Sequence, residues 1–205
     1  MELSDGLKYP MEDTEWIKKI IIGGILNIIP IVNFISFGYA LETMESIIIN
    51  KNQTNLPEWD EFGSKFIKGF MGIIISIIYL IIPIIIMIIT TFSYGHKSTG
   101  LFVSGISVSG ILMIIIGFIL PMALANYVAK GSFGAAFELG EIIGRIKSVV
   151  SEYIVCYVVM IVLYVVAGFI SAIPIIGWII GAILGFYLQL VYAYYFGNLY
   201  TKSSY

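Results

Sequence analysis

The chain has 205 residues, of which 59% are hydrophobic and 12% charged, with a formal net charge of −2. A soluble domain is typically about 45–50% apolar and about 25% charged, so a mean hydropathy of +0.98 excludes an ordinary water-soluble domain. The small, scattered charge gives no basis for nucleic-acid binding, and the single Cys156, set in an apolar run, excludes an intramolecular disulfide.

The first fifteen residues carry Glu2, Asp5, Glu12, Asp13 and Glu15, the wrong charge for the start of a cleavable signal peptide. The apolar segments themselves are therefore expected to direct the chain to a membrane. The first of them, residues 16–49, is interrupted by Pro30. A spanning helix needs about 20 apolar residues. The arm 16–29 would reach only about 21 Å, unless the helix starts near residues 10–13 and Lys18 and Lys19 snorkel. Four later segments meet the length plainly: 69–92, 102–128, 149–172 and 175–198. Pro83 and Pro121 fall inside two of them and are expected to kink them.

A repeat interprets the ambiguous first segment. Residues 24–32, GILNIIPIV, reappear as residues 168–176, GFISAIPII, with glycine and proline at the same offset. Pro174 sits between two full-length spans. By internal analogy Pro30 marks a tight turn between two membrane helices, which gives six crossings rather than five. Lysine and arginine prefer the cytoplasmic side of membrane ends. Six spans put Lys8, Lys18, Lys19, Lys51, Lys65, Lys68, Lys130, Arg145, Lys147 and Lys202 inside and only Lys97, in the loop 93–100, outside. Five spans would move Lys8, Lys18 and Lys19 outside.

A fainter repeat lies on the cytoplasmic side, where Glu61 and Gly63 match Glu138 and Gly140. Trp59, Phe62, Phe66 and Phe70 recur at helical spacing, as do Phe133, Ala136, Leu139, Ile143 and Ile146. These read as short amphipathic helices lying in the membrane interface. The expected fold is a single integral membrane domain over residues 1–205. It is an all-α polytopic bundle of six spans in three tandem hairpins with cytoplasmic interfacial helices, and both termini are in the cytoplasm.

Several strings together resemble one family: residues 9–10 (YP) followed by 12–19 (EDTEWIKK), then Gly23-Gly24, Ile29-Pro30, Gly38-Tyr39, residues 56–62 (LPEWDEF) and 133–137 (FGAAF). They are similar to the domain of unknown function 4013 family, polytopic membrane proteins found largely in archaea. The resemblance runs from about Tyr9 to about Tyr200. It implies the fold, a cell-membrane location and an archaeal source, and it carries no catalytic residues over. The family is more widely similar to six-helix membrane domains such as the one accompanying some glycerophosphodiester phosphodiesterases, whose catalytic domain this chain lacks.

The candidate site residues are few. Glu42 and Glu45 share a helical face near the water boundary at Asn50-Lys51. They read first as solvated or salt-bridged interface residues and second as a functional polar pocket. Asn27 and Asn33 flank Pro30 and read first as satisfying backbone groups freed at the turn. The rival reading is a ligand site in a broken helix. Gly177, Gly181 and Gly185 form a small-residue stripe suited to close helix packing, more naturally inside the chain than between copies. Pro30 and Pro174 are the turn residues. His96 is the only histidine, too few for an expected metal site. The Asn52-Gln53-Thr54 acceptor reads as a plain turn, and the aromatic run Tyr192, Tyr194, Tyr195, Phe196, Tyr200 as an interfacial belt.

No catalytic residue, cofactor or metal is expected. The anticipated partners are membrane lipids and other membrane proteins, with no nucleic acid. The favoured function is a non-enzymatic membrane scaffold or accessory protein that binds lipids or partners. A small transporter or channel is the alternative, and a lipid-modifying enzyme ranks last. A filled core with an apolar lateral groove would favour the first of these, and a polar water-accessible path the second.

Overall fold

Apolar residues that all permit helix, broken only by proline turns and short polar loops, give an all-α fold. The computed structural model describes residues 2–51, 55–95 and 99–205, and among them there is no strand. The helices are α1 (Leu3–Lys8), α2 (Trp16–Ile28), α3 (Asn33–Asn50), α4 (Phe62–Gly95), α5 (Thr99–Lys130), α6 (Leu139–Ser148), α7 (Val150–Ser171) and α8 (Ile176–Lys202), with 3₁₀ turns at Tyr9–Met11 and Phe133–Phe137. His96, Lys97 and the Asn52 acceptor lie outside the described residues.

Four of these helices are long and apolar enough to cross a bilayer: Phe62–Phe92 of α4, then α5, α7 and α8. The other two main helices fall short. The 13 residues of α2 rise about 20 Å, and α3 is diluted by Glu42, Glu45 and its two terminal asparagines. Between α2 and α3 the chain turns back on itself at residues 29–32, so that Ser36 Oγ donates to the Gly23 carbonyl at 3.0 Å.

The turn after α2 and the turn between α7 and α8 share an unusual backbone. The residue after each proline is an isoleucine in the left-handed region, Ile31 at φ 72° and Ile175 at φ 64°. A β-branched residue rarely adopts that conformation. At Ile175, with ψ −67°, the Ile176 N–H donates to the Pro174 carbonyl at 2.7 Å and closes a three-residue turn, a rare and strained form. Both turns lie at the same end of the bundle, because Gly23, Gly24 and Asn27 of α2 run antiparallel along Phe186, Ile183 and Ala182 of α8.

The rest of the order follows from close contacts. α8 is the central post, packed by α1, α2, α3, α5 and α7. α3 and α4 cross where Gly38 meets Gly69; a Cβ on Gly38 would run into the Lys65 carbonyl, and one on Gly69 into the Phe34 carbonyl. α4 and α5 pair as antiparallel rods, and both continue through Pro83 and Pro121 without a break. The Ser109 hydroxyl donates to the Pro83 carbonyl at 2.7 Å.

The expected interfacial helix of the first copy needs correction. The aromatic row Phe62, Phe66 and Phe70 is not a separate interfacial helix but the first turns of the 34-residue α4. Nothing between Phe62 and Ile73 breaks the helix, and Phe66 and Phe70 close over Phe34 of α3 with ring centroids 5.7 and 5.8 Å away. In the second copy the short helix α6 does stand apart. It carries Glu141 in its first turn and Arg145 and Lys147 in its last, charges that complement the helix dipole.

Burial is concentrated at one end, called here the base, where α1, the 55–61 loop, α6 and the C-terminus meet. Along α8, Phe196 is 1% exposed while Trp178, near the proline turns, is 70% exposed. The aromatic run near the C-terminus is accordingly core rather than an outward belt. Tyr195 donates to the Leu3 carbonyl at 2.6 Å, Tyr200 to Asn126 Oδ1 at 2.8 Å, and Tyr194 lies against the Tyr9 ring. The Tyr195 and Tyr200 hydroxyls thus find partners inside the protein, whereas the buried Tyr9 hydroxyl has none among the described residues.

Candidate functional site

Three of the strings that carry the family resemblance converge at the base around one lysine. Lys19, in the first turn of α2, is buried rather than snorkelling. Its Nζ donates to Asp13 Oδ2 (2.9 Å), the Leu56 carbonyl (3.0 Å) and Glu58 Oε1 (2.7 Å), which uses all three ammonium protons. Asp13 in turn accepts from the Leu56 N–H (2.9 Å) and the Glu15 N–H (2.7 Å). Burial pushes the Asp13 carboxyl up, but the Lys19 hydrogen bond and the two backbone donors outweigh it and hold the group below its ordinary value. Trp59 Nε1 donates to the Lys19 carbonyl at 3.0 Å, and the Trp59 ring stacks on Tyr39, whose hydroxyl reaches the Pro57 carbonyl. The 56–59 loop is thereby clamped onto α2 and α3.

The candidate glutamates are both committed to lysines of α4. Glu42 pairs with Lys65 at 3.1 Å and Glu45 with Lys68. Lys65 is fully buried and also takes Asp60. In the second copy Lys130 holds Glu138 and Glu141, and Arg145 joins Glu141 at 2.9 Å. The matched glutamates of the faint repeat both cap helices. The Glu61 carbonyl receives the Ser64 N–H at the start of α4, and the Glu138 carbonyl receives the Ile142 N–H at the start of α6.

The two asparagines do not act as a pair. Asn27 bridges to α8, donating weakly to the Ala182 carbonyl (3.5 Å) and accepting from Gln189 Nε2 (3.4 Å). Asn33 Oδ1 is buried without a hydrogen bond among the described residues, as is Gln189 Oε1. The glycine stripe faces two neighbours. A Cβ on Gly177 or Gly181 would strike the end of α7 at Ile170 or Ser171, whereas Gly185 faces Asn27 of α2.

Two adjoining open spaces border α5. A groove of about 420 Å³ runs between α5 and α7, walled by Gly117, Pro121, Ile161 and Val165 and floored by Tyr192 and Phe196 of α8. It borders an inner chamber of about 220 Å³ that shares Leu120, Tyr164 and Tyr192 with it and is closed by Phe37, Met44, Ser76 and Gln189. Among the described residues no charged one lines either space. The groove exists because α5 and α7 are held together mainly at their base-side ends, by Tyr153 donating to the Phe118 carbonyl at 2.7 Å and by the Phe118 ring edge-on to Tyr153 and Tyr157. Among the described residues no cluster of three or more histidine, cysteine or carboxylate side chains is placed to hold a metal.

The fold, with four helices long and apolar enough to cross a bilayer, defines a membrane-type helical protein. The chain belongs to the family described as Protein of unknown function (DUF4013), whose model matches residues 22–197. It is similar to the uncharacterized protein MJ1189 of Methanocaldococcus jannaschii, with 30% identity over 152 residues, which cover 71% of this chain and 52% of that protein. The chain thus spans about half the length of this curated relative. No solved structure matches it.

Sequence reasoning quoted the strings around Asp13, Lys19, Glu58 and Trp59 without reading their convergence. Asp13 and Lys19 are near neighbours in the chain, but Glu58 is 39 residues from Lys19, and no periodicity links them. The grooves left no signal either, because a residue facing a groove and one facing lipid are equally apolar.

Proposed function

We propose that this is a six-crossing, non-catalytic membrane protein that binds lipid chains through the lateral groove between α5 and α7. The observation that carries the reading is that groove. It opens on a face of exposed isoleucine and valine, is lined without charge among the described residues, and leads past Tyr164 and Tyr192 to a chamber bordered by Gln189, whose Oε1 is buried without a hydrogen bond. A hydrocarbon chain gains contacts there, whereas an ion would leave water for an uncharged slot. The carboxylates that could have supplied acid–base chemistry or ion coupling at the α3–α4 crossing are tied to Lys65 and Lys68. Two further crossings by α2 and α3, with both termini in the cytoplasm, are supported by the lysine and arginine distribution and by the two proline turns sharing one end of the bundle.

The test is photo-crosslinking in native membranes. A benzophenone amino acid at Ile161, in the groove wall, is compared with one at Ile85, exposed on α4 away from the groove. Lipid adducts at Ile161 that survive detergent extraction, when those at Ile85 do not, support the reading. Equal loss at both sites, or protein-dependent solute flux in liposomes, refutes it and favours a transporter. Cysteines at Lys8 and Ile31 report the topology. Labelling of position 8 by an impermeant external reagent would overturn the cytoplasmic N-terminus.

A further inference from the structure

The geometry points to a second site, distinct from the first groove, in which an anionic membrane lipid lays one chain beneath α6 and sets its headgroup on Lys147. The space is a groove of about 480 Å³ whose walls include Ile115 and Phe118 of α5, Ile143 and Ile146 of α6 and Ile154 of α7, with Lys147 its only charged residue among those described. It shares no lining residue with the first groove.

The occupant follows from place and charge. The walls continue into exposed Ile111, Ile114, Val155 and Val158, the face that hydrocarbon covers if α5 and α7 cross the bilayer. α6 forms the rim. Ile142 and Ile146 face the core, and Leu139 and Ile143 point outward as apolar side chains, the pattern of a helix lying at the interface. Lys147 leaves from that rim. Every other basic side chain nearby is already engaged. Lys130 is on Glu138 and Glu141, Lys202 is on Glu152, and Arg145 is on Glu141 and Ser203 with its guanidinium 4.2 Å from the Tyr200 ring centre. Lys147 alone of these has no carboxylate within ion-pair range among the described residues. A free ammonium at the mouth of an uncharged slot matches a lipid with an apolar chain and a negative headgroup. A neutral or zwitterionic lipid would gain the slot but little from the charge, and a soluble peptide would have to enter through lipid.

The inference rests on α5 and α7 being membrane helices, but not on a lipid occupying the first groove. The experiment is native mass spectrometry of the detergent-solubilised full chain titrated with phosphatidylglycerol or phosphatidylcholine. The wild type should retain one phosphatidylglycerol in preference to phosphatidylcholine. Lys147→Gln should reduce that preference by about fivefold, the weight of one lysine at an anionic lipid surface, and Lys147→Arg should keep it. Lys8→Gln, the same charge change on another lysine with no ion pair among the described residues, should leave it unchanged. Ile154→Trp fills the slot and should weaken both lipids alike. A preference intact in Lys147→Gln, an equal loss in Lys8→Gln, or full binding in Ile154→Trp overturns the site. Because Lys147 is exposed and unbonded, its variants should melt with the wild type, and a matching melting curve separates lost binding from lost fold. Crosslinking at Ile161 is scored separately, so either groove can fail without the other.

Discussion

Replacing Lys19 by methionine keeps the length and apolar body of the side chain and removes only its charge. Three hydrogen bonds disappear, and the Asp13 carboxylate, whose side chain is 5% exposed, loses its counter-ion. Glu58 is 68% exposed, so its share is no more than about 1 kcal/mol. The larger loss is the uncompensated buried charge, which costs about 3–5 kcal/mol. At roughly 2–4 °C per kcal/mol for a chain of this size, the unfolding midpoint should fall by about 6–20 °C. Thermal unfolding in mild detergent, followed by tryptophan fluorescence, reads it directly, since Trp59 is bonded to the Lys19 carbonyl. Adding Asp13→Asn to Lys19→Met removes the stranded charge while keeping an acceptor for Leu56 or Glu15, and should recover about 1–3 kcal/mol. A loss below about 1 kcal/mol in the single variant, or further destabilisation in the double, would refute the reasoning. The pH dependence has a defined sign. The folded Asp13 carboxyl lies below its unfolded value of about 3.9. Its contribution is therefore complete above that value and is lost as the pH falls through it toward the lower folded value. Asp13→Asn should lack that share of the acid sensitivity.

Gly38→Ala places a methyl group on the Lys65 carbonyl, backbone that has no room to yield; it should lower stability by about 1–3 kcal/mol or more, whereas Gly63→Ala, whose Cβ meets nothing within 4 Å, should not lower it. Ile31→Gly and Ile175→Gly relieve a left-handed β-branched residue at exposed sites, so thermal unfolding should show each neutral or stabilised by about 1 kcal/mol; a clear loss would mean the isoleucine side chains are held. Spin labels at the exposed Ile17 and Ile49 should lie within about 20 Å across neighbouring antiparallel helices; a distance near 48 Å, that of one continuous helix, would overturn the turn at Pro30.

Much of the helical layout could be read because length and hydropathy report directly on a membrane environment. Segments 69–92, 102–128, 149–172 and 175–198 each fall on one helix of the structure, from α4, α5, α7 and α8. The repeat of glycine and proline at one offset located two breaks, and the structure places a turn at each, whereas the unrepeated Pro83 and Pro121 lie inside continuous helices. The fusion of the Phe62–Phe70 row with α4 was not legible, since an amphipathic turn and the first turn of a long helix share one periodicity. The aromatic run was misread for a related reason. A tyrosine at a lipid boundary and one bonded to a buried carbonyl look alike until the 192-residue separation between Tyr195 and Leu3 is closed in space. The engagement of Glu42 and Glu45 likewise depended on the α3–α4 crossing, which two glycines make possible and hydropathy does not register.

The uneven burial along α8 has a mechanical consequence. Side chains interlock tightly around Phe196, Tyr195 and Leu199, whereas toward Trp178 the helices present most of their surface outward. The bundle therefore resembles tongs riveted at one end. Spreading the far ends of α5 and α7 exchanges protein contacts for lipid contacts of similar strength and leaves the rivet, with its ion pairs and tyrosine bonds, untouched. On the proposed reading, in which α5 and α7 cross a bilayer and the slit takes a lipid chain, the slit's width is set largely by the surrounding hydrocarbon, so a thinner or thicker bilayer should change how much chain it admits while the melting of the riveted end stays the same.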